Sequence, residues 1–95
     1  MRFQMLEIVM SNKFKKDLKL ASKRGYNLNL LDEVVESLAK QKNLPFKNHD
    51  HELTGNYVGF RECHIQPDWL LVYRVHEDDF ILFLARTGTH SDLFN

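Results

Sequence analysis

Residues 57–86 read YVGFRECHIQPDWLLVYRVHEDDFILFLAR. Three β-rich segments lie inside this stretch: Tyr57 to Ile65, Trp69 to Val75 and Phe80 to Arg86. Gln66-Pro67-Asp68 and His76-Glu77-Asp78-Asp79 separate them, each suited to a hairpin turn. Pro67 fixes its own φ and biases Gln66 to an extended shape, so Asp68 opens the second segment from a defined corner. WLLVYRV and FILFLA are almost continuously apolar, as strands covered on at least one face are. The stretch predicts consecutive antiparallel strands.

Upstream the pattern differs. Residues 3–10 (FQMLEIVM) read as a first strand. Ser11 or Asn12 can then cap a helix whose Phe14, Leu18 and Ala21 fall at i, i+4 and i+7, one narrow apolar stripe. The rest of that surface is basic, with Lys13, Lys15, Lys16, Lys19, Lys23 and Arg24 and a single acid, Asp17, among them. Gly25 suits the left-handed cap at its end. A second helix is expected over Asn29 to Lys42, with Leu28, Leu31, Val34, Val35 and Leu38 on one face and Asp32, Glu33, Glu36 and Lys40 on the other. Asp32 and Glu33 would sit in its first turn, where the helix dipole favours anions, and Pro45 would end it. Past the strands the chain should turn at Gly88 and dock the apolar pair Leu93-Phe94. The order β-α-α-β-β-β predicts an α+β fold, an N-terminal strand and two-helix hairpin packed on one face of an antiparallel sheet.

At 95 residues, 43% of them hydrophobic, the chain is the size of one domain, residues 1–95, with a core of its own. Four glycines and two prolines argue against disorder. Cys63 is the single cysteine, which excludes an internal disulfide and a thiolate zinc site. The apolar runs fall short of the ~18 residues that span a bilayer. The opening MRFQMLEIVMSNK is interrupted by Gln4 and Glu7 and lacks a small-residue cleavage site, so it does not read as a signal peptide. A soluble cytoplasmic protein with no membrane partner is the expectation. The net charge of zero hides an asymmetry: residues 1–48 carry ten Lys and Arg against five acids, residues 49–95 three against eight. All five histidines, 49, 51, 64, 76 and 90, lie in the acidic half.

Strand pairing brings distant residues together, so the polar groups at strand ends carry the chemistry. His64 closes one expected strand and Asp68 begins the next; Arg86 ends the last and His90 follows by four residues. His49, Asp50 and His51 precede the first of the three. If these ends converge, one cleft holds an arginine, several histidines and an aspartate, with Trp69 and Phe94 as flat apolar surfaces. That set matches RNA hydrolysis without a metal. One group takes the 2′-hydroxyl proton, another protonates the leaving 5′-oxygen, and a cation offsets the charge on phosphorus. Histidine serves either proton task near neutrality, and the planar arginine fork matches two phosphate oxygens. Each element also has a plainer reading: Trp69 as core, Arg86 as a salt-bridge partner of Asp68, the basic helix as a solvated face, and His76 as a turn residue. A metal site from His49, His51, His64 or His90 with Asp68 lacks the spacing of a zinc motif, so no metal and no cofactor is expected. The one-signed helix face favours a phosphate backbone or an acidic partner, since ordinary surface helices mix signs.

The segments DHELTGNYVGFRECHIQPDWLLVY at residues 50–73 and ARTGTHSDLF at residues 85–94 resemble the YafQ toxins of the RelE/ParE superfamily. The resemblance extends over the whole chain, and the pairing of P-D-W with R-T-G-T-H is its specific part. It implies a RelE/ParE-like fold and a ribosome-dependent endoribonuclease that cuts mRNA in the A site of the 70S ribosome. It also implies a cognate antitoxin of the DinJ/RelB kind, joined by the toxin in binding operator DNA. By position, the implied catalytic residues are His51, His64, Asp68, Arg86 and His90. Trp69 and Phe94 fall on aromatic contacts to substrate, and the basic side chains Lys13, Lys15, Lys16, Lys19, Lys23 and Arg24 would meet ribosomal RNA. Glu52 stands where proline is common in that pattern and Tyr57 where tryptophan is common. His90 or Asp68 would take the proton, and His51 or His64 would give one. Two other readings are a ParE-like binder of gyrase, which has no need for these five groups together, and a co-repressor that binds DNA with its partner.

Overall fold

A computed structural model describes residues 4–94. Its elements are β1 (Glu7–Met10), α1 (Asn12–Lys23), α2 (Leu28–Ala39), β2 (His51–Glu52), β3 (Arg61–Gln66), β4 (Trp69–His76), β5 (Ile81–Gly88) and α3 (His90–Phe94). The five strands form one sheet in the order β1-β5-β4-β3-β2. The pairs β2–β3, β3–β4 and β4–β5 are antiparallel, as the hairpin turns require. β1 joins the far edge parallel to β5, so the sheet is mixed. Residue 3, where the expected first strand begins, lies outside the described residues. Among the described residues no helix is long and apolar enough to cross a membrane.

Local chemistry sets the helix ends. The Ser11 hydroxyl accepts from the Phe14 N–H (2.9 Å) and donates to the Ala85 carbonyl (2.7 Å), so one side chain caps α1 and ties it to β5. Gly25 follows α1 with a φ of 79°, the left-handed turn its position predicts. α2 begins at Leu28, where the Asn27 side chain accepts from Asn29 N–H, which places Asp32 and Glu33 beyond the first turn rather than in it. It also stops at Ala39, short of Lys42 and well before Pro45. Gln41 takes a left-handed φ of 58°, and the N–H groups of Gln41 and Lys42 close back on the carbonyls of Leu38 and Ser37. The first hairpin strand is shorter than its expected span. Tyr57 lies in a single 3₁₀ turn, and the N–H groups of Val58 and Phe60 bond back to Gly55 and Tyr57 instead of to a strand.

Helices α1 and α2 cover one face of the sheet. Phe14, Leu31, Val35, Leu38, Trp69, Leu71, Tyr73, Leu82 and Leu84 fill the space between. A second, smaller cluster lies on the opposite face, where Leu93 of α3 packs on Leu70, Val72 and Ala85, with Leu53, Tyr57 and Phe60 at its margin. Trp69 belongs to the first cluster. It is 1% exposed, its ring centroid lies 4.8 Å from that of Tyr26, and its Nε1–H donates to Thr87 Oγ1 at 2.9 Å. The expected role of Trp69 as a surface for substrate is therefore corrected: its face is spent on the core. Truncation of Trp69 to alanine should lower the unfolding free energy by about 3–5 kcal/mol, read as a shift of the urea midpoint.

Candidate active site

Strand register decides which polar groups share a face, because cross-strand partners point to the same side. His51 pairs with Glu62, Glu62 with Val72, and Val72 with Arg86, giving a row across four strands. The next row runs from His64 through Leu70 to Gly88. Val72 and Leu70 belong to the cluster away from α1 and α2, so both rows lie on that open face. Arg86 reaches it only because the register slips by one residue opposite Val72 and Tyr73. Ala85 is the extra residue, and it and Arg86 fall in succession on one side.

Each expected histidine is oriented by its Nδ1. His51 Nδ1 lies 2.7 Å from the His49 carbonyl, His64 Nδ1 lies 3.2 Å from the Pro67 carbonyl, and His90 Nδ1 lies 2.9 Å from Asp68 Oδ1. Carbonyls and carboxylates only accept, so each Nδ1 must carry the proton and each neutral ring keeps its lone pair on Nε2. The Nε2 atoms of His51 and His64 lie 3.6 and 3.8 Å from Glu62 Oε1. His90 also donates its backbone N–H to Asp68 at 3.2 Å, and these two bonds from His90 hold the Asp68 carboxyl below the usual range. The His64 and His90 ring centroids are 5.8 Å apart.

Glu62 went unnoticed in the sequence although it is buried, at 4% exposure, between two of the histidines. Its position two residues before His64 on a strand is the signal that marks a shared face. Glu62, His64 and His90 each present a ligand atom within 4.8 Å of the others, so they could hold a metal ion. Asp50 takes no part: it accepts from Tyr73 Oη (2.6 Å) and Arg61 Nε (3.3 Å), and is structural. Cys63 is fully buried, and burial pushes its thiol up to about 12, which leaves it inert near neutrality. Phe94 lies at the rim, 43% exposed, edge-on to Tyr57 at 5.5 Å, while its neighbour Leu93 is the half of the pair that docks.

Two charge clamps, one from α1 and one from the residue that caps its end, hold this face in place. Asp17 accepts from Arg86 Nε (2.7 Å) and Nη2 (3.2 Å) and from the Thr87 backbone N–H (3.1 Å). The plainer reading paired Arg86 with Asp68; its partner is Asp17. Arg24 makes a two-pronged bond to Asp92 of α3 (2.6 and 3.1 Å), which ties the end of α1 to the helix that carries His90. Asp92 also accepts from the Thr89 N–H while Thr89 Oγ1 accepts from the Asp92 N–H, a reciprocal cap on the helix that begins with His90. Gly88 lies against this cap: a Cβ there would meet Asp92 Oδ2 at 2.9 Å and Asp92 Cβ at 3.0 Å. Lys13, Lys15, Lys16, Lys19 and Lys23 stay exposed along α1.

Comparisons with known proteins place the family and match the fold. Residues 6–95 match the model of the family described as bacterial toxin of type II toxin-antitoxin system, YafQ. The chain belongs to the YafQ family. The mRNA interferase toxin YafQ of Escherichia coli strain K12 is 39% identical over 89 residues, 93% of this chain and 95% of that one. A metal-bound toxin from Helicobacter pylori has a crystal structure that superposes with a TM-score of 0.90 at 50% identity, covering 95% of this chain and all of that one. The toxin in the E. coli DinJ-YafQ complex superposes with a TM-score of 0.86 at 37% identity, covering 96% and 99% of the two chains.

Two measurements test the clamps. Asp17→Asn keeps the shape but removes the charge; it should cost about 1–3 kcal/mol of stability and speed hydrogen exchange at the Thr87 amide. Asp92 is held well below the usual carboxylate range, first by Arg24 and then by the Thr89 N–H. Its contribution is therefore complete above about pH 4 and is lost as pH falls through its lower folded value. Arg24→Ala should flatten that acid limb in denaturant unfolding measured from pH 5 down to pH 2.

Proposed function

We propose that the chain is a toxin that cleaves mRNA on the ribosome by metal-independent general acid–base catalysis. The observation that carries this is the set of three histidines on one open face, each with Nδ1 tied to an acceptor and Nε2 left to exchange a proton. His90, braced by Asp68, takes the 2′-hydroxyl proton through Nε2. The 2′-oxygen attacks the adjacent phosphorus, and the bond to the 5′-oxygen breaks. His64 or His51 gives that oxygen its proton, and the Glu62 carboxylate is the nearby counter-charge for the imidazolium that donates it. Arg86 neutralises the phosphate; its bond to Asp17 keeps it firmly cationic and fixes its direction. The products are a 2′,3′-cyclic phosphate and a 5′-hydroxyl. A metal ion on Glu62, His64 and His90 would occupy the lone pairs this chemistry uses, so it would compete with the reaction.

α1 supports an RNA target. No acid lies in its first turn, where Lys13 and Lys15 oppose the helix dipole at about 0.3–1 kcal/mol each. Fold stability gives no reason for that choice, whereas a ribosomal RNA backbone does. The partners are then the 70S ribosome with its mRNA in the cytoplasm and a cognate antitoxin related to DinJ. Operator DNA is bound through the antitoxin complex.

Incubation of a defined mRNA with the toxin should give cuts only on programmed ribosomes, at a fixed place in the codon frame. His90→Ala and Arg86→Ala should each slow cleavage by about 10²–10⁴-fold with the fold retained. Cleavage at the wild-type rate by either variant overturns the assignment. No cleavage at all by folded, antitoxin-free protein points to a non-catalytic binder of gyrase.

A further inference from the structure

Phe46 is 91% exposed and belongs to neither apolar cluster, yet it is not on a slack loop. It begins a 3₁₀ turn, Phe46–Asn48, closed by bonds from Asn48 N–H to the Pro45 carbonyl and from His49 N–H to the Phe46 carbonyl. Asn48 is buried and its Nδ2 donates to the His64 carbonyl at 2.7 Å, which fastens the turn to β3. His49 closes the turn in the left-handed region with φ 47°, a conformation unfavourable for a side chain other than glycine or asparagine. A strained, anchored turn thus holds a large apolar ring out in water.

Phe46 lies 5.7 Å from His49, His49 5.4 Å from His64, His64 5.8 Å from His90, and His90 6.4 Å from Phe94. The five rings form a chain of neighbours with His64 and His90, two of the three histidines assigned to catalysis, within it and a phenylalanine at each end. Beside the Phe46 end a hollow of about 850 Å³ opens between Lys47, His49, His51, His64, Gln66 and Pro67. Lys47 supplies a cation there, and the hollow runs directly into the site.

We propose that Phe46, Lys47 and His49 form a nucleotide subsite that takes an unpaired RNA base against the Phe46 ring and the adjoining phosphate on Lys47. Phe94 would hold the strand on the other side of the scissile phosphate. The proposal rests on the nuclease reading. An aromatic face stacks on any base, and the chain of rings connects Phe46 to the reacting centre with Lys47 beside it, so an RNA strand fits it better than an apolar peptide does.

The test uses the full chain with programmed ribosomes, and in parallel the same mRNA segment in 2′-deoxy form, which binds but cannot be cut. Phe46→Ala should raise KM about tenfold, with most of the loss in KM rather than kcat, and weaken binding of the deoxy strand similarly. Phe46→Trp should restore both and Phe46→Leu neither, since stacking needs a ring. Unchanged KM and deoxy-strand affinity in Phe46→Ala overturns the subsite, as does rescue by leucine. Loss of antitoxin neutralisation with RNA binding intact overturns it in favour of a protein contact. If the wild type binds the deoxy strand through Phe46 but never cleaves, the catalytic reading fails and the subsite stands; if it does neither, both fail.

Discussion

Beyond Met10 the β1 strand is over, while β5 runs on through residues 85–88 with an open edge, and Asp17 occupies the place of the missing strand. Its carboxylate accepts the free Thr87 N–H that a strand would have taken, and the same group grips the Arg86 fork. The register slip at Ala85 turns Arg86 to the open face, and the Ser11 cap binds the Ala85 carbonyl just upstream. Without the Asp17 contact the end of β5 would carry an unpaired amide and an unrestrained arginine. The helix α1 is thus more than a cover for the core: it is joined by hydrogen bonds to the part of the sheet that leads into α3 and His90.

The two faces of the sheet divide the work. One buries Trp69, Tyr73 and the leucines under α1 and α2 and provides most of the apolar burial. The other carries a thin apolar cluster and, beyond it, the titratable row His51–Glu62 and His64. The charge asymmetry along the chain maps onto this division in part. The basic half folds into the helices that display lysines, and the acidic half supplies Asp68 to His90, Asp92 to Arg24 and Asp50 to Arg61, while Asp17 of the basic half crosses over to Arg86.

Much of this was legible in the residues. Period-two segments around Pro67 and the acidic turn at 77–79 predicted β3, β4 and β5, and the apolar stripes predicted both helices. The parallel placement of β1 was not legible, because a four-residue strand carries no mark of its neighbour. Helix α2 ended early because Gln41 adopted a left-handed turn that glycine would have announced. In the site, the histidines, Asp68 and Arg86 were found from strand ends and from a family pattern. Glu62 was passed over because an acid in a strand reads as solvent-facing, and only the pairing of β3 with β2 shows what surrounds it. Trp69 was misjudged for the opposite reason: a tryptophan at a strand start suits a binding surface and a core equally, and the side of the sheet settles it. The isolated acid of α1 was seen, but its partner lies 69 residues away.

The segment from Arg86 to His90 has no spare position. Arg86 meets Asp17, Thr87 joins Trp69 to the Leu70 carbonyl, Gly88 leaves room for Asp92, Thr89 caps α3, and His90 leans on Asp68. Five consecutive residue identities are specified by four sets of neighbours, Asp17 of α1, Trp69 and Leu70 of β4, Asp92 of α3 for both Gly88 and Thr89, and Asp68 at the corner before β4. Such a stretch has almost no neutral drift available to it. A change at any one of the five disturbs a contact, and the compensating changes would have to arise in several different parts of the chain.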